Sequence, residues 1–404
     1  MKALSAIATG IAPSATLEIN ALTKRMLEKG IDVLDFGIGE PDFPTPERIK
    51  AAGVNAIAHD ETRYTASSGT AELKKSICGY VKDQFDLAYK PSQICVSDGA
   101  KHVLYAAIMT LCEKGDEVIL PAPYWVTYVE MIRMAQATPV IVKTDEESHF
   151  KLTPELLRNA VTARTKCLIL NNPSNPTGAV YTRKELEEIM AIAGEYDLYV
   201  ISDEIYHSLV YGTEHISVPS LGDDARERTV LIDGASKSFA MTGWRIGFAA
   251  ANETIIDAMS NYLGHSTGSP CSISQSACVE AFSGPYTETE EMIRVFRRRR
   301  DYMVSRISNM DGVSCLEPNG AFYVFMNIQN LLGKSIFGQT INSSEDFAGC
   351  LLENARLAVI PGSAFGADGY VRLSFAVSMD VIREGMDRLE EFLQTEKRKI
   401  RLAI

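Results

Sequence analysis

The 404-residue sequence lacks the marks of a small secreted, metal-binding or membrane protein. Its eight cysteines form no CxxC pair and no metal-ligand spacing. A chain of this length needs no disulfide staples, so reduced thiols are expected and zinc or redox centres are not. No uninterrupted apolar run reaches membrane-spanning length. Positive charge is in short supply as well: 40 Lys and Arg against 52 Asp and Glu leave a net charge of -12. That balance argues against a nucleic-acid backbone or an anionic membrane as partner, since both select basic surfaces. GxxxxGK[ST] is absent and GIGEPD lacks the GxGxxG pattern, which removes the common nucleotide-binding readings. The opening MKALSAIATGIAPSAT, with one lysine and a broken apolar run, matches a secretory signal poorly, and a cytoplasmic location is expected.

What is present is an ordinary globular composition, 46% hydrophobic and 23% charged, with material for a large core and a second, smaller domain. Short β-branched runs (QICVS, DEVILP, PVIVK, KCLILNN, LYVISDE, TVLIDG, IGFAAA) alternate with helical patterns. Runs of this kind without period-2 polarity imply an α/β fold with a mostly parallel sheet covered on both faces. Further on, TETEEMIRVFRRRRDYMVSRISNM reads as one long helix with acids early and bases late. Its RRRR run is expected to be a solvated face. The strands GAFYVFMNI and YVRLSFAV and an amphipathic helix from Ser378 follow.

Polar residues with chemical potential stand where the runs stop: Asp98, Trp125, Asn175, Asp203 and Lys237. In parallel sheets ligands collect outside the carboxyl ends of the strands, so these five are expected to share one crevice. Lys237, in GASKSFAMTGWRIGF, sits in the setting where burial strips an amine of its proton and makes it a nucleophile toward carbonyls. Arg245 lies eight residues on, where it could share an anion with Ser236 and Ser238. A second anion device is Asp98-Gly99-Ala100-Lys101, opening a helix whose free N–H groups attract phosphate, although Asp-Gly is also an everyday turn.

A lysine nucleophile and two phosphate cradles imply a phosphorylated aldehyde, and pyridoxal phosphate fits. Its ring nitrogen needs an acid, for which Asp203 is the candidate. Tyr206 and Asn175 are placed to reach the ring oxygen, Asn175 reading equally as a turn residue before Pro176. Trp125 is either a stacking face for the ring or a core tryptophan.

GEPDFPTP, NNPSNPTG, SDEIY and GASKSFAMTGWRIGF, in this order over nearly the whole chain, resemble the class I aminotransferases of pyridoxal-phosphate fold type I, within them the prokaryotic-type aspartate enzymes. The resemblance implies a seven-stranded, mostly parallel sheet sandwiched by helices. It also implies a smaller α+β domain built from both chain ends, with divisions at 1–45, 46–290 and 291–404. Lys237 then resembles the lysine that holds the cofactor and shuttles a proton, Asp203 the pyridinium partner, Asn175 and Tyr206 the ring-oxygen ligands, and Trp125 the stacking aromatic. Gly99, Ala100, Lys101, Ser236 and Arg245 fall in the phosphate cradle.

Tyr64 resembles a tyrosine that reaches the neighbouring subunit's phosphate, which implies a homodimer with composite sites. Gly39 resembles a backbone contact to substrate. Arg372, which by spacing alone reads as a surface ion pair, resembles the holder of the α-carboxylate. Lys101 and Thr16 occupy the places that hold the distal carboxylate of aspartate. The implied reaction is transfer of the amino group of L-aspartate to 2-oxoglutarate. Transaminases for alanine, aromatic acids or prephenate, and a cystathionine-type β-lyase, are the alternatives on the same fold.

Overall fold

The computed structural model describes residues 2–12 and 15–402, the side chains of 15–18, 20 and 395–402 excepted. The seven apolar runs become β1 (Ile94–Asp98), β2 (Glu117–Ala122), β3 (Thr138–Lys143), β4 (Thr165–Asn171), β5 (Tyr199–Asp203), β6 (Thr229–Gly234) and β7 (Ile246–Ala250). They form one sheet in the order β1-β7-β6-β5-β4-β2-β3. Only β7 runs against its neighbours.

The runs lack polar alternation because both faces are covered. On one face Val118, Leu120, Ile169, Ile201 and Ile232 meet Val103, Ala107 and Leu111 of α1 (Ala100–Leu111). On the other, Leu231 and Phe248 meet Leu73, Ile77 and Tyr80, while Leu168 and Val200 meet Leu186 and Ile189. Each such side chain contributes on the order of 1.5–3 kcal/mol by leaving water.

A second, antiparallel sheet joins β8 (Ser314–Cys315), β9 (Tyr323–Asn327), β10 (Ile360–Pro361) and β11 (Tyr370–Ser374) in the order β10-β11-β9-β8. Near the start of the chain, Leu34–Asp35 pairs in parallel with Leu357–Ala358. Helices α2 (Thr287–Ser308) and α3 (Met379–Leu402) close this part around Phe296, Met303, Phe322, Val371, Phe375, Ile382 and Met386. Among the described residues no helix is long and apolar enough to cross a membrane.

The arginine run on α2 departs from the solvated face expected of it. Arg297 and Arg298 are exposed, but Arg299 and Arg300 are buried. Arg299 grips Asp42 with two hydrogen bonds of 2.7 and 2.8 Å. Arg300 donates to the Pro318 carbonyl at 3.0 Å and pairs with Glu317 at 3.1 Å. The reason is helical phase: Met292, Phe296, Arg299, Arg300, Met303 and Ile307 share the stripe that faces the core.

Candidate active site

Where β1, β2, β4, β5 and β6 end, a cavity of about 400 Å³ opens between the large sheet and the second. The reversal of β7 brings its first neighbour, Arg245, to that same edge. Ala100, Lys101, Trp125, Asn175, Asp203, Tyr206, Ser236, Lys237, Arg245, Arg372 and Gly39 all line it. Residues as far apart in the chain as Ala100 and Arg372 thus meet, the strand ends on one side and β11 on the other.

Lys237 sits in the helical turn Ala235–Ser238 that follows β6. Its Nζ donates to the Gly39 carbonyl at 2.6 Å. Burial pulls its pKa down to about 8; Glu40 opposes that, while Arg372 and Arg245 add to it. At pH 7 roughly a tenth of this amine is therefore unprotonated and able to accept a proton, far more than of an exposed lysine.

Asp203 ends β5. Burial pushes its carboxyl up to about 6, against hydrogen bonds that favour the charged form. Those bonds come from the Tyr128 hydroxyl to Oδ2 at 2.6 Å and the Ile205 N–H to Oδ1 at 3.2 Å.

Arg372, on β11, is 3% exposed, which removes the surface ion-pair reading. Its Nη1 donates to Asn175 Oδ1 at 3.0 Å and its Nη2 to the Gly37 carbonyl at 2.8 Å. The guanidinium lies 4.3 Å from the centre of the Tyr323 ring, and its buried Nε has no hydrogen-bond partner. A buried orphan donor next to a cavity suits an incoming carboxylate. Asn175 is thereby more than a turn residue, and its own N–H donates to Asn171 Oδ1 at 2.8 Å. The Tyr206 hydroxyl contacts that of Tyr323 at 2.9 Å.

At the other end, Gly99 precedes α1 with φ 84° and ψ 160°, a region only glycine enters easily. A Cβ at Gly99 would collide with the Arg245 guanidinium. Without that side chain, Arg245 lies against the start of α1, donating to the carbonyls of Thr242 at 2.9 Å and Asp98 at 3.1 Å. The free N–H groups of α1, the guanidinium and Ser236 thus form an anion cradle. Ser238 is not part of it: its hydroxyl contacts Ser208 at 2.8 Å, because residues two apart in a helical turn point to opposite sides.

Trp125 is half-buried and meets Tyr128 edge-on at 5.3 Å, so it walls the cavity rather than filling the core. Lys101 reaches over that indole, Nζ 4.9 Å from the ring centre, and burial followed by Arg245 lowers its pKa. One expected residue stays apart. Tyr64 is 98% exposed and outside the cavity, and the side chain of Thr16 lies outside the described residues. Among the described residues no cluster of His, Cys, Asp or Glu could hold a metal.

Tyr128, Tyr323 and Asn171 belong to the site but were missed in the sequence. For Tyr128 a signal existed: it lies three residues after Trp125, one helical turn on. For Tyr323 there was none, because its place depends on β9–β11 register, Tyr323 opposite Ser374.

A family model for aminotransferase class I and II matches residues 31–389. The chain belongs to this family. An aspartate aminotransferase of Bacillus subtilis is 43% identical over 96% of this aminotransferase and 98% of its own length. An aspartate/prephenate aminotransferase of Cereibacter sphaeroides is 42% identical over 97% and 99%. Among solved structures, the aspartate aminotransferase of Rhizobium meliloti superposes with a TM-score of 0.94 at 38% identity, covering 98% of this chain and 99% of its own. That of Thermus thermophilus with maleate gives 0.92 at 38% identity over 97% and 100%. The aminotransferase fold read from the sequence, a seven-stranded mostly parallel sheet flanked by helices, is the one these structures share.

Proposed function

We propose that this aminotransferase works with pyridoxal 5′-phosphate and moves the amino group of L-aspartate to 2-oxoglutarate, giving oxaloacetate and L-glutamate in two half-reactions. The observation that carries the reading is one cavity holding a lysine of lowered proton affinity, a buried carboxylate and a buried arginine with an unpaired Nε. The cradle of Ala100, Ser236 and Arg245 fits a phosphate, and Asp203 fits a ring nitrogen that carries a proton. Asn175 and Tyr206 fit the ring oxygen and Trp125 fits the ring face. Pyridoxal phosphate, when bound, supplies an aldehyde that captures the amino group and a ring that accepts the electrons of the Cα–H bond.

The chain's own residues do the rest. Arg372 holds the α-carboxylate of the amino acid, and Asn175 keeps the guanidinium aimed. Gly39 leaves room for substrate backbone atoms beside the Tyr323 hydroxyl. Lys237 accepts the Cα proton and returns a proton when the oxo acid forms, a role suited to an amine titrating near 8. Asp203, ionised above about 6, would hold a proton on the ring nitrogen of the bound cofactor. The second substrate uses the same Arg372 once the first product has left, and because the amino group stays with the enzyme between the two half-reactions the kinetics are ping-pong.

For the distal carboxylate, Lys101 is the cation at the cavity wall, with Thr16 assigned beside it from the resemblance. The names of the relatives favour aspartate, and the Cereibacter relative adds prephenate as an acceptor to test. Tyr64, bare on this protomer, fits a homodimer in which it reaches the neighbouring subunit's phosphate. A cytoplasmic setting accords with the expected free thiols.

The experiment is a coupled assay with a panel of amino donors. Lys101→Ala is expected to lower kcat/KM for aspartate and glutamate by roughly 10- to 100-fold, a charge-assisted hydrogen bond's worth, and to leave alanine nearly unchanged. Equal losses on aspartate and alanine would remove the dicarboxylate assignment.

A further inference from the structure

Beneath the cavity, the carboxyl edge of the sheet carries three carboxylates on adjacent strands. Asp203 and Glu204 stand at the end of β5 and Asp233 on β6, with exposures of 3%, 0% and 0%. Asp203 lies opposite Ile232, so Asp233 is its close neighbour across the ladder. Buried carboxylates survive only when partnered. Glu204 is well supplied: the Ser202 hydroxyl at 2.7 Å, the Val218 N–H at 3.0 Å and His215 Nε2 at 2.8 Å. Asp233 is not. Its Oδ1 accepts from the Gly234 N–H at 2.7 Å, while its Oδ2 finds no hydrogen bond among the described residues and faces His207 Nδ1 at 3.3 Å.

His207 is 4% exposed. Its Nδ1 points at two acceptors, the Glu204 carbonyl at 3.2 Å and Asp233, so this nitrogen carries a proton. Its Nε2 meets the Tyr80 hydroxyl at 2.9 Å, a group able to accept as well as donate. Phe85 and the ring of His215, 4.9 and 6.0 Å away, complete its surroundings.

We propose that His207 is a positioning residue: an imidazolium buried under the cavity whose charge cancels that of Asp233 and so leaves Asp203 a carboxylate facing the cavity. Burial works against a charge on His207, and the attraction of Asp233, followed by Glu204, outweighs it and raises the pKa above the ordinary histidine value. Asp233 and Glu204 both push the Asp203 carboxyl upward, so an uncompensated Asp233 would push it further. The inference rests on the cofactor reading, because a protonated ring nitrogen is what the charge on Asp203 would meet.

The test has two arms. In the first, ¹⁵N-histidine-labelled apoprotein is titrated by NMR, with His207 assigned from His207→Gln. Both ring nitrogens are expected to be protonated at pH 6.5, and a neutral ring there overturns the proposal.

In the second, pyridoxal phosphate is titrated into apoprotein across pH 5.5–8 and uptake is read by absorbance. His207→Gln is expected to bind roughly fivefold more weakly near pH 6, the effect there of one pKa unit on an Asp203 that titrates at about 6. Its loss of affinity on acidification should begin at higher pH than in the wild type, because Asp203 gains its proton sooner. The double variant His207→Gln/Asp233→Asn, which removes both charges, is expected to restore wild-type binding; a double variant no better than the single overturns the proposal. Wild-type apoprotein that takes up no pyridoxal phosphate would overturn the cofactor reading instead, and uptake by wild type and His207→Gln alike would overturn this inference alone.

Discussion

Lys237 shows how one side chain's environment decides its chemistry. Folding lowers its pKa from 10.5 to about 8, chiefly by burial. Below pH 8 the amine is charged in both folded and unfolded chains, and the apoprotein bears the full cost of burying it. Between 8 and 10.5 the unfolded chain binds the extra proton, so stability rises with pH through that window. Lys237→Met, which keeps the stem and drops the charge, is therefore expected to stabilise the apoprotein by roughly 3 kcal/mol at pH 7. The gain should fade toward pH 10.5, as followed by urea unfolding; a gain constant over pH would mean that the charge is not its source. Lys237 and Asp203 were legible in the sequence because strand ends and a distinctive turn flank them, whereas Arg372 stands in mid-strand and was reached only through the family resemblance. Tyr128 and Tyr323 were less legible, since a tyrosine in an apolar stretch looks like core until its hydroxyl's partner is known.

The elements set these residues by direction and phase. The reversal of β7 carries Arg245 to the cavity edge, and the ε-region backbone of Gly99 lets the guanidinium lie against α1. Gly99→Ala adds both strain and a collision, and is expected to weaken uptake of pyridoxal phosphate roughly tenfold while the circular dichroism spectrum stays native. Unchanged uptake would show that Arg245 is not held by this contact. The seven strands were legible because each is buried on both faces and therefore apolar throughout. The arginines of α2 were not. Acidic composition pointed to solvent, whereas the helical period already placed Arg299 and Arg300 on the stripe of Met292, Phe296 and Met303.

In the whole molecule, a chain of net charge -12 gathers Lys101, Lys237, Arg245 and Arg372 around one cavity. Four cations there match the phosphate and carboxylates of the proposed cofactor and substrates, and local charge rather than overall charge governs their capture. The two-sheet architecture makes that possible, since α1 and β7 supply the phosphate end and β11 the carboxylate end. Sequence spacing cannot show that meeting, because it depends on how β11 is brought against the large sheet.

The central claim is that Lys237 is the amine that captures the cofactor's aldehyde. Its most direct test is to load the protein with pyridoxal phosphate, reduce it with borohydride and map the modified peptide. The expected result is a single pyridoxyl group on Lys237, lost in Lys237→Met. Modification at Lys101 instead, or none at all, would contradict the account.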